Sequence, residues 1–442
     1  MALSGLDIYK LLPKTNCREC GFATCLAFAM QLAKKAVSIE KCPYVGKDAK
    51  ALLEASSLPP VRLVSVGEGE SKLEVGNETV LFRHEEKFHH PCAIGFVVDD
   101  DSSAAEIRLK LDKINKFKFE RVGQQLNVNL VAIRQKQDKK RFLEAVKVAQ
   151  EATALPLMLM SESTESLKEA LGLVPVNTRI IYNAHKGNAA EAAKLSLQFK
   201  APLVVSEPGL EELSVATKEL NSLGANDLIL DTSKKNIAEK IWDLTQIRRQ
   251  ALKKNNRALG FPVCVIVDKD DPFQEAMEAS AYIAKYAGIV LLKNVEAWQI
   301  LSLLTLRQNI YTDPQKPLQI DPKLYAIGST NKNSPVLVTT NFSLTYYTVL
   351  GEVEASKVPS YILSVDTEGM SVLTAWAAEK FTPEKIISSV NKSGVQDMVS
   401  KKRLVIPGYV AVLSGDLEEN SGWTVVVGPK EAAGIPSFLK NL

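Results

Sequence analysis

From Ala93 onward the chain alternates short, continuously apolar runs with longer segments whose apolar positions recur every three to four residues. The runs are Ala93 to Val98, Leu130 to Ile133, Leu155 to Met160, Arg179 to Tyr182, Pro202 to Val205, Asp227 to Leu230, Val263 to Val267 and Ile289 to Leu292. Between them Phe142 to Ala149, Ala190 to Phe199, Ala238 to Ile247 and Ala276 to Tyr286 carry the helical period. Strands that are apolar at consecutive positions are covered on both faces, as parallel strands are. Eight strand–helix units over roughly two hundred residues predict a (β/α)8 TIM barrel at 93–310. An open, doubly wound sheet of eight strands is the alternative.

On either side the period changes. Val61 to Val66 predicts a strand, and Lys72 to Val75 with Thr79 to Phe82, joined through Gly76 and Asn77, predict a β-hairpin. These fall in a linker at 59–92, where His84, His89 and His90 lie among Glu85 and Glu86. Their spacing matches no ligand signature, so a solvated stretch is expected rather than a metal site. A segment rich in Pro, Lys, Asn and Ser at 311–334 predicts a hinge. Beyond it, strands are expected at Pro335 to Thr339, Tyr361 to Val365, Leu404 to Ile406, Val410 to Leu413 and Thr424 to Val427. Helices are expected at Leu344 to Glu354, Val372 to Lys380, Pro383 to Val390 and from Lys430. The tail, 335–442, reads as a small Rossmann-like or flavodoxin-like domain. Such sheets bind ligands beyond the carboxyl ends of their strands, here the turns Thr339 to Ser343, Asp366 to Ser371 and Gly428 to Lys430. No GxGxxG motif is present, so a ligand lying across several turns fits better than a dinucleotide.

The sharpest chemical signal is at the other end. Four of the six cysteines, Cys17, Cys20, Cys25 and Cys42, lie in the first tenth of the 442 residues with two, four and sixteen residues between them. Thiolates so spaced hold a 4Fe-4S cluster or a structural zinc. Four-cysteine zinc sites usually carry two CxxC knuckles, and here only Cys17 and Cys20 form one. Pro43 after the last cysteine points to iron–sulfur. Disulfides, the third reading, suit a long chain without a signal peptide poorly. Gly21 lets the backbone turn, and Phe22, Leu26, Ala29, Met30 and Ala33 predict a helix ending at Lys34 and Lys35, with Cys25 in its first turn. There the amide dipoles favour a thiolate. Lys14, Arg18 and Lys41 either add compensating charge or are ordinary surface residues. The expected head domain is 1–58.

A net charge of +3 with no basic stripe argues against nucleic acid, and the run Lys136 to Arg141 reads as a solvated helix start. No stretch approaches a membrane span, so a soluble, cytoplasmic protein is expected. Cys264 reads as a buried small hydrophobe. The barrel's strand ends are polar and acid-rich: Asp99, Asp100, Asp101, Gln135, Ser161, Glu162, Asn183, His185, Glu207, Asp231, Thr232, Asp268, Asp270, Lys293 and Asn294. They suit a pterin or another polar substrate, or simply solvent; His185 reads as a loop residue.

The cysteine motif, the barrel and the Rossmann-like tail, in that order along essentially the whole chain, resemble the large subunits of corrinoid iron–sulfur proteins of the reductive acetyl-CoA pathway and of the acetyl-CoA decarbonylase–synthase complex. The resemblance implies a 4Fe-4S cluster on Cys17, Cys20, Cys25 and Cys42 and a cobalamin-type corrinoid on the tail. By the family's loop positions, the corrinoid contacts are Thr340, Asn341, Phe342, Gly369, Met370, Ser371, Val372, Leu373, Thr374, Gly408, Gly428 and Pro429, with Thr374 beneath the corrin. It also implies a smaller barrel subunit as partner, methyl transfer from methyltetrahydrofolate through a separate methyltransferase to acetyl-CoA synthase, and a reductive activator or ferredoxin. Corrinoid domains of the methionine-synthase type supply a cobalt-ligating histidine, whereas no histidine follows His185 here. Cobalt without a protein imidazole is more easily reduced to the nucleophilic cobalt(I), which the cluster would restore after oxidation. Two other readings are a pterin-dependent methyltransferase barrel with a structural cluster, and a plain electron-transfer module.

Overall fold

The eight apolar runs form eight parallel strands, β3 (Ala93–Asp99), β6 (Leu130–Arg134), β7 (Leu157–Met160), β8 (Arg179–Ala184), β9 (Leu203–Ser206), β10 (Leu228–Asp231), β11 (Cys264–Val267) and β12 (Ile289–Leu292), joined side by side in chain order with β12 beside β3. A single bridge between Leu230 and Val263 links β10 to the segment entering β11, so the sheet closes on itself as a barrel. The computed structural model describes residues 5–33, 37–46, 49–50, 53, 59–233 and 235–442. Lys34, Lys35 and the end of the expected head domain at 58 lie outside them. One compact unit comprises the chain up to Phe119 with Leu126–Tyr311, and a second comprises Glu120–Gln125 with Thr312–Leu442.

Alternate side chains of the barrel strands take opposite faces. Ala132, Met158, Ile180, Val204, Ile229, Cys264 and Leu291 fill the interior, while Phe96, Ile133, Leu159 and Val265 pack outward under the helices. Cys264 is the buried hydrophobe expected, and burial pushes its thiol well above the ordinary range. The interior is plugged by a ribbon that differs from the predicted hairpin. Val64–Val66 (β1) pairs antiparallel with Leu73–Val75 (β2), and all four ends of this ribbon, Val64, Val66, Leu73 and Val75, join the interior cluster. Thr79 to Phe82 is no strand. At Gly76 (φ +98°) a Cβ would lie 2.0 Å from the Arg62 carbonyl oxygen, and the chain turns away there. Arg248 then holds the residues beyond the turn, pairing with buried Glu78 at 3.0 Å and donating to the Val80 carbonyl. Glu78 also accepts from the backbone of His89 and His90, which anchors that stretch. Two further elements carry no clear signal in the sequence: a helix, Gly5–Leu11, and a hairpin of Lys118–Arg121 (β4) and Gln124–Asn127 (β5).

The second unit holds a five-stranded sheet: β13 (Leu324–Ile327), β14 (Val336–Thr340), β15 (Ser360–Val365), β16 (Arg403–Ile406) and β17 (Thr424–Val427), in the order β13-β15-β14-β16-β17. Only β13 is antiparallel. It lies inside the segment predicted as a hinge, so part of 311–334 is sheet edge rather than linker. Val336, Val338, Leu363 and Ile406 face one core, and Leu337, Ile362 and Val405 face another, so both faces are covered. Val410 to Leu413, predicted as a strand, is instead part of a 3-10 turn, Gly408–Leu413; β16 pairs directly with β17, and Val410 and Leu413, three apart, point into the core. Helix Val372–Ala377 stops before the predicted Lys380, where Glu379 takes φ +55°. The last helix begins at Ile435 rather than Lys430.

At the barrel mouth the acids expected to form a substrate rim are paired with one another's neighbours. Arg134 donates to both oxygens of Asp99, at 2.6 and 3.1 Å, and extends its third nitrogen to Asp268 at 2.9 Å. Lys136 reaches Asp99 and Asp101, and Lys293 reaches Asp270 at 2.5 Å. Asp231 accepts from the Tyr182 hydroxyl and from buried Lys240 at 3.0 Å. Asp100 caps the backbone of Lys136 and Gln137, and Glu207 that of Lys186. His185 accepts from the Gly187 amide, as a loop residue does. Arg134, which no sequence motif marks, is the centre of this network.

Burial opposes ionisation of Asp99, but hydrogen bonds from Arg134 and Lys136 outweigh it and hold the carboxyl below its ordinary range. Such a group stabilises the fold above its unfolded pKa, about 3.9, and loses that contribution as pH falls through its lower folded value. Arg134→Met is therefore expected to cost about 2 kcal/mol at pH 7, because a half-buried carboxylate loses its main partner. The gap from wild type should begin to narrow below about pH 4 and close only as pH falls through that lower folded value. Urea unfolding of the barrel transition at pH 7 and pH 3.5 measures both; an equal gap at the two values would contradict the assignment.

Candidate functional site

Two places bring chemistry-bearing residues together. In the head, helix Gly5–Leu11 packs on helix Cys25–Ala33. Cys25 is the first residue of the second helix, as expected, and Thr24 caps it by accepting from the Ala27 amide at 3.1 Å. The buried face of that helix is Cys25, Phe28 and Ala29, whereas Leu26 and Met30 of the predicted stripe are exposed. The difference comes from the first helix, which selects the face it covers.

The loop before Cys25 is wound through left-handed backbone at Lys14, Asn16, Arg18 and Gly21. Asn16 fastens it: its Oδ1 accepts from the Cys25 amide at 2.8 Å, and its own amide donates to the Cys25 Sγ at 3.4 Å. An N–H directed at sulfur offsets part of the negative charge a metal-bound sulfur carries. Asparagine tolerates left-handed backbone, and one immediately before the first cysteine was the available signal for this clamp. Cys20, Cys25 and Cys42 belong to one apolar cluster with Phe22, Phe28 and Ile39, and Cys17 lies on the exposed outer loop. None of the six cysteines is joined in a disulfide. Among the described residues no three His, Cys, Asp or Glu side chains converge on a single ion. The four thiols are thus a set of sulfur donors on one loop and its flanks, matching in kind a cluster or a thiolate zinc.

The second place is the carboxyl edge of the five-stranded sheet. The strand order reverses direction between β14 and β16, so the chain leaves these neighbours toward opposite faces and a crevice opens between them. A cavity of about 260 Å³ lies there, bounded by Thr339, Leu344, Thr348, Val372, Tyr409 and Gly428 among others. Val372, Gly428 and Pro429 of the expected contacts line it directly. Gly408 braces it: a Cβ there would lie 2.6 Å from the Gly428 carbonyl oxygen and 2.8 Å from the Lys430 amide, so the turns after β16 and β17 touch.

Asn341 is spent inside the fold. Its Oδ1 accepts from the Thr367 and Gly369 amides at 2.9 and 3.0 Å, and its Nδ2 donates to Gln319 and Asp366, which fixes the turn 366–370. Phe342 is half-buried at the start of helix Ser343–Ser356, and Thr340 is fully buried. Met370 packs against the core, Ser371 and Thr374 share a 3.0 Å hydrogen bond, and Leu373 and Thr374 are exposed on helix Val372–Ala377 without lining the cavity. Lys430, in the last of the expected turns, lines the cavity too, whereas Leu344, Thr348 and Tyr409 were not anticipated; a helix face turned to a cavity, as at Leu344 and Thr348, has the same period as one turned to a core.

Unpaired buried hydroxyls are concentrated at this edge. Five barrel helices start on the capping side chains Ser103, Asp138, Ser163, Asn236 and Asp271, while those at Ala189 and Leu210 start without one. The helices at Ser343 and Val372 have no side-chain cap, and the hydroxyls of Thr339, Thr340, Ser343 and Ser364, all buried, have no hydrogen-bond partner. Thr339 and Ser364 are register neighbours on the face that carries the cavity. Buried hydroxyls normally find partners, so a row of free ones with two uncapped helix starts fits a bound polar ligand.

Residues 63–439 match the family described as CO dehydrogenase/acetyl-CoA synthase delta subunit, and residues 12–44 match one described as a putative Fe-S cluster. The corrinoid/iron-sulfur protein large subunit of Moorella thermoacetica is 45% identical over 100% of this chain and 99% of its own length. The acetyl-CoA decarbonylase/synthase complex subunit gamma of Methanothermobacter thermautotrophicus is 35% identical over 100% and 99%. Among solved structures, a dihydropteroate synthase of Xanthomonas albilineans aligns with a TM-score of 0.39 and 15% identity, covering 51% of this chain and 95% of that one. With both of its ends matched to relatives over their full length, the chain belongs to the family of corrinoid/iron-sulfur protein large subunits and acetyl-CoA decarbonylase/synthase gamma subunits.

Proposed function

We propose that this chain is a corrinoid-bearing methyl carrier whose Rossmann-like tail holds the corrinoid and whose cysteine loop holds a 4Fe-4S cluster. The observation that carries the reading is the crevice beside β14, where a cavity, two uncapped helix starts and buried hydroxyls without partners coincide. When bound, the corrinoid supplies the metal on which a methyl group passes from methyltetrahydrofolate, by way of a separate methyltransferase, to acetyl-CoA synthase, and the cluster supplies low-potential electrons that keep that metal reduced.

Each part of the chain has a share in this. Cys17, Cys20, Cys25 and Cys42 are the cluster ligands, with the Asn16 amide and the helix start at Cys25 offsetting part of the negative charge on sulfur. Thr339 and Ser364 would offer hydroxyls to the polar periphery of a bound corrinoid, with Thr348 in the cavity wall; Val372 and Tyr409 would offer apolar surface there, and exposed Leu373 more beside it. Thr374, exposed on helix Val372–Ala377, would be the candidate for the lower face, and its hydroxyl is a far weaker donor to a metal than an imidazole. The barrel serves as scaffold: Asp99, Asp268 and Asp231 are already paired, which disfavours the reading of a pterin-processing barrel. The proposed partners are a smaller barrel subunit, the methyltransferase, acetyl-CoA synthase and a reductive activator or ferredoxin, all in a reducing cytoplasm that keeps the cysteines as thiols.

Protein purified without oxygen together with its smaller subunit should contain cobalt and about four irons; iron with no cobalt would overturn the proposal. Cys25→Ser and Cys42→Ser should each lose most of the iron while cobalt content stays near wild type. Gly408→Val should abolish corrinoid retention, since its side chain would drive apart two turns now in contact, and leave iron content unchanged. Thr374→Leu should keep the corrinoid but shift the midpoint potential of the cobalt couple; an unshifted potential removes Thr374 from the lower face.

A further inference from the structure

The ring of helices around the barrel is not uniform. Helix Lys139–Ala152 meets helix Thr164–Leu173 through Lys139, which pairs with both Glu165 and Glu169, and Arg108 pairs with Glu151 on the neighbouring helix. Those faces are built for water. The last two helices, Pro272–Ala284 and Ala297–Tyr311, pack side by side and break that pattern.

Helix Ala297–Tyr311 carries large apolar side chains on its outer face as well as its inner one, beside exposed Ser302 and Asn309. Ile300, Leu303 and Leu304 face the barrel, and Trp298 and Leu301 face outward, 40% and 44% exposed. Its one charge, Arg307, is buried and donates to the Cys92 and Asn127 carbonyls and to Asn129. On helix Pro272–Ala284, Phe273 and Met277 are 65% and 74% exposed. Its two acids are taken inward: Glu275 is buried and accepts from the Lys293 amide and from Gln299, and Glu278 is bound by the Tyr282 hydroxyl and Lys269. Phe273 and Trp298 stack across the two helices with ring centroids 4.5 Å apart and planes 25° from parallel. The result is a face with no free charge, centred on an aromatic pair already fixed in place.

Large apolar side chains on the outer face of a helix, as well as on the face against its own core, are ordinarily covered by a further partner. We propose that this face is where the smaller companion subunit docks, which rests on the reading of the chain as the large member of a two-subunit assembly. Two helices of this length side by side span roughly 20 Å by 20 Å. That is about the central half of the ~800 Å² per partner that a stable interface takes up. Permanent interfaces have apolar, charge-free centres anchored by aromatics, whereas partners that must come and go use more polar surfaces. The face therefore suits the resident subunit rather than the methyltransferase or acetyl-CoA synthase. A membrane surface would call for outward lysines and arginines, and neither helix presents any.

The full chain carrying Phe273→Glu with Trp298→Glu, titrated with the purified smaller subunit under anaerobic conditions, tests this. The Kd should rise at least ~100-fold, with iron content and helical circular dichroism unchanged, because two desolvated anchors are lost together. Val215→Glu, an exposed site on another barrel helix, should leave the Kd unchanged. The milder Met277→Ala with Leu301→Ala should weaken binding by about 10-fold, which guards against misfolding of the charged variant. Wild-type affinity in both double variants would overturn the docking face alone. So would loss of self-association in the charged variant while companion binding persists, since a second copy would then be the occupant. Failure of the wild-type chain to bind the smaller subunit would overturn the two-subunit reading itself, and the docking face with it.

Discussion

The central strands of the two large sheets are buried on both faces, and that constraint shapes the chemistry of each. A strand covered on both sides spends its side chains on packing: Ile133 and Ala132, or Val338 and Leu337, turn to opposite cores and neither is free for other work. Polar side chains are displaced to the strand ends. Their fate there depends on whether the sheet closes.

In the barrel the eight carboxyl ends form a ring, so acids and bases from successive strands come within reach of one another. Arg134 is shared by Asp99 and Asp268, and Asp231 by Tyr182 and Lys240, so these rim acids find their partners within the ring. In the open sheet the ends diverge instead. Between β14 and β16 the chain departs toward opposite faces, and the polar atoms left there, Thr339 and Ser364 among them, find nothing within the fold to bond. One physical rule thus produces a closed scaffold in one unit and an open binding edge in the other.

The amide side chains show how tightly loops must be held for such an edge to persist. Asn341 orders the turn 366–370 through its carbonyl and amide together, and Asn16 does the same for the cysteine loop with one oxygen and one backbone N–H. Each acts as a fastener for a neighbouring functional group rather than as a ligand. Loops that carry ligands cannot also be stabilised by a large apolar core, so short-range hydrogen bonds substitute for burial.

The cysteine spacing, the helix starting at Cys25, the eight barrel strands and the turns of the tail could be read from the chain, because each is encoded in local order: ligand intervals, continuous apolar runs, and breaks at Gly and Pro. Partnership is not local. Val64–Val66 rather than Thr79–Phe82 pairs with β2, the apolar run Val410–Leu413 coils instead of extending, and β13 joins a sheet from within an apparent linker. The same is true of Arg134 bridging two acids, of the outward face of helix Ala297–Tyr311, and of the cavity beside Thr339. A side chain's period states that it will be buried or exposed, but what it meets is decided by contacts between residues far apart in the chain, and these exist only once the chain has folded.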